Sequence, residues 1–393
     1  MNDAALLRLL QETPVPSTEP AKKHIIHFKT PSDYQRFIRN WNSSKPTASP
    51  FPAIQPIQLI HAISCTLPSL NEVAYHPGIR YIEEDVMIQV HAPQARLVSQ
   101  QSPGGYREEA PTVPWGVRQI KAPESWNHAR GNRIRIGVID TGIDYMHPDL
   151  RGRIARGINL VQKGSLPVDD NGHGTHISGT IAASNSYTGL VGVAPMAIVH
   201  PVKAFDHNGT AFVSDIVLGI DWCVRNGMHL INMSFGMRNR SKSLHDAVRG
   251  AYTAGISIVA SSGNDGRRSH IDYPARFVQT ISVGATTRNK RIAPFSNRGR
   301  SIDIYAPGDK IHSTWLQRKY MELSGTSMAT SHVSGVIALM LTLKPDLSPK
   351  DIKALLRKTS NPVIGLRTSR ESSSATGEID AVRVLRVLKG PSA

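Results

Sequence analysis

Between residues 134 and 306 the chain alternates short apolar runs with helical stretches of ten residues or more, and few folds tolerate that rhythm. The runs at 134–139, 197–203, 230–234 and 256–262 read as strands. Those at 280–285 and 302–306 continue the series, while 214–226 and 243–254 read as helices. Crossovers of this length join parallel neighbours, and strands apolar on both faces require cover on both faces. The expected fold class is therefore α/β, a parallel sheet flanked by helices on both faces. Open sheets of this kind assemble their sites at the carboxyl ends of the strands, so polar residues just past the strands are the first candidates.

Four segments place such residues. The run 134–139 ends in Asp140, with Gly142 turning the chain two residues later. In DDNGHGTHISGTIAA, beginning at Asp169, a glycine-broken polar loop becomes a helix of small residues, with His173 at the junction and His176 one turn further in. Two histidines at this spacing raise the question of a metal, but no third ligand lies nearby and Cys65 and Cys223 sit in unrelated contexts. His173 is read as a general base and His176 as a packed helix residue. The strand 256–262 runs into Gly263 and Asn264, whose amide can donate a hydrogen bond without titrating. Finally, residues 322–340 pass from small residues into an apolar helix, placing Ser327 in a first turn whose N–H groups are unpaired, beside Gly325, which leaves room for a substrate backbone. Taken singly, Asp140, Asn264 and Ser327 are better explained by caps and turns. Together they supply a nucleophile, a base, a carboxylate and an oxyanion donor.

The strings VIDTGI (138–143), NGHGTH (171–176), INMSFG (231–236), SGN (262–264) and GTSMA (325–329) resemble the signatures of the subtilisin-like serine protease family, in the order Asp, His, Asn, Ser. The resemblance spans roughly 113–388 and implies a serine endopeptidase with Asp140, His173 and Ser327 as its triad and Asn264 in the oxyanion hole. Ser331 stands where the family usually has proline. It further implies a substrate cleft edged by Gly209 and by Ser234, Phe235 and Gly236, to which an extended peptide adds as a strand. Asp272 falls where the family usually has a small residue at the base of the primary specificity pocket, which implies a preference for Lys or Arg before the scissile bond. The alternative is that Asp272 turns outward to Arg267, Arg268 or Arg276. No cofactor is required for such chemistry, although structural calcium is common in the family. Asp149 matches one carboxylate ligand, whereas Ser186 and Pro111 replace the usual asparagine and glutamine.

Ahead of this region, 24–28, 57–65 and 79–83 read as strands and 32–41 and 69–76 as helices, a small α+β unit. It resembles the ferredoxin-like inhibitory propeptide of the same family, closing on Tyr81, Glu83, Glu84 and Asp85, whose carboxylates suit helix N-termini. The expected organisation is an extension (1–21), a propeptide unit (22–91), a linker containing the maturation cut (92–112) and a catalytic domain (113–393). Arg96 and Arg107 are candidate self-cleavage points in the linker. The first residues lack a charged region followed by a sustained apolar core, so they are not a usual secretory signal, although the family is commonly secreted; the compartment stays open.

A net charge of +16 over 393 residues raises the possibility of nucleic acid, but no aromatic-interleaved basic patch accompanies it, and scattered surface cations explain it better. No run approaches the ~20 apolar residues of a membrane helix. The expected partners are polypeptide substrates and the chain's own propeptide, with neither nucleic acid nor membrane, and the expected state is a monomer. The competing reading is a catalytically silent subtilisin-like scaffold that binds or regulates another protein.

Overall fold

The structure is a computed structural model that describes residues 6, 22–43, 54–67, 73–91, 94–97, 112–185, 189–268, 270–364 and 376–390. Near the amino terminus β1 (Lys22–Phe28), α1 (Pro31–Ser43), β2 (Gln55–Ile57), β3 (Ala62–Leu67) and β4 (Ile79–Glu84) build an antiparallel sheet of order β2-β3-β1-β4. The expected single strand at 57–65 is split by a 3₁₀ turn, Gln58–Ile60, that ends on the left-handed His61. Of the expected helix at 69–76, residues 69–72 lie outside the described residues and Val73–Tyr75 form a 3₁₀ turn. Side chains alternate across a strand, so the successive residues Ile25 and Ile26 of β1 serve different cores. Ile26 packs with Phe37 and Trp41 of α1, and Ile25 joins the core of the larger domain.

Two short strands follow, β5 (Met87–Val90) and β6 (Gln94–Leu97). The larger domain opens with α2 (Trp115–Gln119), β7 (Arg135–Asp140), β8 (Ile158–Asn159), α3 (His173–Ala182) and β9 (Ile198–Lys203). Next come β10 (Thr210–Phe212), α4 (Val213–Arg225), β11 (Leu230–Met233), β12 (Phe235–Gly236), α5 (Lys242–Thr253) and β13 (Ser257–Ser261). The chain closes with β14 (Ile281–Thr286), β15 (Ile304–Pro307), β16 (Ile311–Thr314), β17 (Tyr320–Ser324), α6 (Thr326–Leu343), α7 (Pro349–Thr359) and α8 (Ala381–Lys389).

Seven of these strands form one parallel sheet of order β15-β14-β13-β11-β7-β9-β8. One apolar core gathers α3, α6 and α8 on one face, and a second gathers α4 and α5 on the other, so the strands are covered on both sides. Helix α6 is buried on every side from Thr326 to Leu341. It has the length and composition of a membrane span, but here it lies against the sheet as a core helix. From β7 the chain first adds strands on one side and then returns to add β11, β13, β14 and β15 on the other. The carboxyl end of β7 therefore stands at the point where strand order reverses, where ligands of open α/β sheets bind.

The N-terminal unit sits on α4 and α5. Ile25, Ile57, Ile60, Ala62 and Ile88 share a core with Ile216, Ile220, Leu244 and Val248. Polar contacts complete the seam. Glu83 accepts from the backbone N–H of Lys242 (2.9 Å) and Ser243 (2.7 Å) in the first turn of α5, and also from the Ser243 hydroxyl. Asp85 accepts from the N–H of Ser214 in α4 at 2.9 Å and pairs with Lys23. Carboxylates at helix N-termini meet unpaired donors and the positive end of the helix dipole. Beyond the seam, β5 pairs antiparallel with β10 on one side and β12 on the other, and β6 pairs antiparallel with β17.

Candidate functional site

Asp140 ends β7 with its side chain fully buried. Its Oδ1 accepts from the N–H of Thr141 (2.8 Å) and from Nδ1 of His173 (2.7 Å). His173 is the first residue of α3, and the loop before that helix is braced by Asp169. One Asp169 oxygen accepts from Thr141 Oγ1 and from the N–H of Asn171 and Gly172; the other accepts from the N–H and hydroxyl of Thr175. Burial acts to lower the His173 pKa, but the charge and hydrogen bond of Asp140 outweigh it and raise the imidazole above its usual range. With Nδ1–H committed to Asp140, the tautomer leaves Nε2 as the basic nitrogen. That atom is buried and makes no hydrogen bond among the described residues.

Ser327 lies in the first turn of α6 and is buried. Its hydroxyl donates to the carbonyl of Ser234 at 3.0 Å, just past the end of β11. Asp140 and His173 are thus in contact, whereas the bond from Ser327 Oγ to His173 Nε2 is not made in this conformation. Asn264 follows β13, and its Oδ1 accepts from both the N–H and the hydroxyl of Thr326, each at 2.8 Å. Those two bonds fix the amide and direct its Nδ2 toward Gly325, where a Cβ would come within 3.1 Å of it. Ser331 stays within the helix, its hydroxyl returned to the Met328 carbonyl at 2.7 Å. His176 is fully buried with Nε2 between the carbonyls of Ile311 and Met321, and burial pushes its pKa down to about 3.

The two segments expected to edge a cleft, β10 with Gly209 and β12, are both paired by β5 of the same chain. The N–H of Val90 donates to the Gly209 carbonyl at 2.9 Å, and Val90 and Gln89 pair with Phe235 and Gly236. One residue further on, the ring of His91 enters a recess beside Gly236, with Nε2 3.0 Å from Asp272 Oδ2 and Nδ1 2.8 Å from Ser261 Oγ. Asp272 therefore faces this recess, while Arg267 pairs with Asp265 instead. Of the two candidate cut sites, Arg96 lies on β6, which pairs with β17, and Arg107 lies outside the described residues.

The sequence model of the Subtilase family (Peptidase_S8) matches residues 131–378. The chain is 38% identical over 307 residues to the thermostable alkaline protease of Halalkalibacterium halodurans, covering 78% of each. It is 36% identical over 354 residues to the M-protease of Shouchella clausii, covering 87% of each. The chain belongs to the subtilase family. Subtilisin Savinase of Lederbergia lenta is 42% identical over 252 residues, which cover 64% of this chain and 92% of that protein. Among solved structures, fervidolysin of Fervidobacterium pennivorans, described as a keratinolytic enzyme related to subtilisin, superposes with a TM-score of 0.77 at 25% identity. The match takes in 96% of this chain but spans only 62% of fervidolysin's length. Membership makes the chain a serine endopeptidase, a hydrolase.

The carboxylate of Asp149 in this subtilase is engaged by protein donors. Its Oδ1 accepts from Asn185 Nδ2, and its Oδ2 from the N–H of Leu190 and the hydroxyl of Tyr320, each at 2.8 Å. These donors compete with a hard cation for the same oxygens. Ser186 and Pro111 lie outside the described residues, and no cluster of three potential side-chain ligands occurs among those described.

Sequence reasoning missed four residues that the geometry brings forward. Asp169 organises the loop before His173. Lys203, buried beside Asp140 in the sheet register, donates to the Thr141 carbonyl and to Asp170, each at 2.6 Å. Its only signal was a cation ending an apolar run. Ser261 and His91 meet across 170 positions of sequence, and no local pattern marks such a contact.

Proposed function

We propose that this subtilase hydrolyses internal peptide bonds of proteins through Asp140, His173 and Ser327, and that residues 22–91 hold the precursor latent. In this reading 1–21 is an extension, 92–112 connects the units and 113–393 is the catalytic domain. The observation that carries it is the 2.7 Å contact from Asp140 to His173 Nδ1, which leaves a basic Nε2 unpaired. Rotation of Ser327 about χ1 away from the Ser234 carbonyl would release its hydroxyl to that nitrogen. His173 then takes the proton as Oγ attacks the substrate carbonyl, and returns it to the departing amine. Asp140 holds the tautomer and favours the imidazolium, while Asn264 Nδ2 and the Ser327 N–H receive the oxyanion.

Latency is supported by β5 filling the space between β10 and β12, and by the carboxylates that fasten the N-terminal unit to α4 and α5. A silent scaffold is the second reading, favoured by the Ser327 hydroxyl's bond to Ser234 in place of His173. Hydrolysis of a denatured protein by the full chain separates the two. Ser327→Ala and His173→Ala should each lower it by about 10⁶-fold, a magnitude known from subtilisin rather than worked from this geometry. Absence of hydrolysis above background in the wild type, as in both variants, would leave only the scaffold, and hydrolysis undiminished in both variants would overturn the triad.

A further inference from the structure

The recess that receives His91 has a composition that neither the family match nor the named relatives explain. Its walls are the backbone of Gly236 and Gly263, and its polar groups are the Ser261 hydroxyl and the Asp272 carboxylate. A Cβ on Gly236 would fall 2.5 Å from His91 Nε2 and 2.7 Å from Asp272 Cβ, so the ring fills space that only glycine leaves open. Ser261 is fully buried at the end of β13, and the side chains of His91 and Asp272 are 9% and 13% exposed. The two ring nitrogens are engaged at once, Nε2–H donating to a carboxylate and Nδ1 meeting a hydroxyl that either donates or accepts. Both the neutral ring and the imidazolium are therefore satisfied. A phenyl ring would strand both polar groups, and a lysine ammonium on its flexible stem lacks the planar pair of nitrogens that reaches both at once.

We propose that this recess is a specificity pocket for imidazole, so that the enzyme cleaves after histidine and its first cut follows His91. The proposal rests on the endopeptidase reading above and narrows the preference for Lys or Arg that Asp272 alone suggests. The chain's path supports it. Residues 87–90 lie between the cleft strands, and residues 94–97 pair with β17, the strand that leads into Ser327. The described chain thus leads from the recess beside Gly236 to the strand that precedes Ser327, with His91 the last described residue before 94–97. In the cut, the carbonyl carbon of His91 forms an ester with Ser327 Oγ as its bond to the nitrogen of Ala92 breaks. That nitrogen leaves as an amine carrying the proton from His173. Water then hydrolyses the ester and restores the Ser327 hydroxyl, so one water is consumed.

The test uses the full-length chain, with three readouts taken together. These are the new amino terminus after maturation, kcat/KM on peptides differing only in His, Arg, Lys, Phe or Leu before the scissile bond, and labelling by a fluorophosphonate. The expected results are a new terminus at Ala92 and the highest kcat/KM for the histidine peptide. Asp272→Ala should lower the histidine-to-phenylalanine ratio by about 10–10²-fold, the loss of one charge-assisted hydrogen bond. Asp272→Asn, which retains shape and an acceptor, should lower it less. A labelled, active enzyme that prefers Phe, Leu, Arg or Lys, or whose ratio ignores Asp272, overturns the imidazole pocket and leaves the endopeptidase reading standing. An unlabelled chain that cleaves none of the peptides overturns both.

Discussion

Glu83 offers the sharpest test of how the N-terminal unit is held. Its carboxylate takes the N–H groups of Lys242 and Ser243 at the start of α5, and Glu83→Ala removes both bonds. Hydrogen bonds to a charged group contribute about 1.5–3 kcal/mol each, so the lower bound for two is about 3 kcal/mol. The helix itself should survive, because Ser241 independently caps it through the N–H of Leu244 at 3.1 Å. The loss therefore falls on docking rather than on folding, and converts to an undocked population about 10²-fold larger. Amide hydrogen exchange in the uncleavable Ser327→Ala background reads this directly, since the N–H of Val90 is protected by the Gly209 carbonyl only while β5 is docked. Val90 should exchange about 10²-fold faster in Glu83→Ala, with amides of β13 and β14 unchanged. A change below about 3-fold at Val90 would show that Glu83 does not fasten the unit.

Asn264→Ala should lower kcat by about 10²–10³-fold, a value carried from subtilisin, with little effect on KM; equal losses in both would place the amide outside the oxyanion site. The His173 imidazole, raised by Asp140, must be neutral to act as a base, so kcat/KM should rise with pH through an apparent pKa above 6.5. Asp140→Asn should move that limb downward, and an unmoved limb in a pH–rate profile would contradict the pairing. At the docking seam, burial holds His27 down to about 4, with Asp246 opposing and Arg80 and Lys242 assisting, and its Nε2–H donates to Ser243 Oγ at 2.8 Å. Its contribution to docking is complete above 6.5 and lost as pH falls toward 4, while Asp215, raised to about 6 chiefly by burial, acts in the opposite sense between 3.8 and 6. Val90 exchange, corrected for its intrinsic pH dependence, should show docking weakening on acidification in the wild type and less so in His27→Gln.

The sheet was legible because each long strand is buried on both faces and reads as an unbroken apolar run closed by glycine or a polar turn. Strands of two or three residues were not, since β8, β12 and β10 owe their form to a partner elsewhere in the chain. The positions of Asp140, Asn264 and Ser327 at element ends were legible for the same local reason. Whether their side chains touch was not, because the Ser327 hydroxyl's choice of the Ser234 carbonyl is settled by a rotamer. Asp149 illustrates the opposite problem. Its position matches a family ligand, yet the donors that occupy it, Asn185, Leu190 and Tyr320, come from two distant stretches of chain. The contact of His91 with Asp272 spans 181 positions and depends on β5 lodging between β10 and β12, a pairing that no local propensity encodes.

The central claim is that an alcohol on α6 becomes a nucleophile by passing its proton to the imidazole at the start of α3. Stoichiometric reaction of the purified, matured protein with a fluorophosphonate, followed by mass mapping of the adduct, tests it most directly. One adduct per chain is expected, on Ser327, formed in step with loss of peptidase activity and absent from Ser327→Ala and His173→Ala. Full peptidase activity retained once Ser327 is stoichiometrically modified, or present in Ser327→Ala, would contradict it.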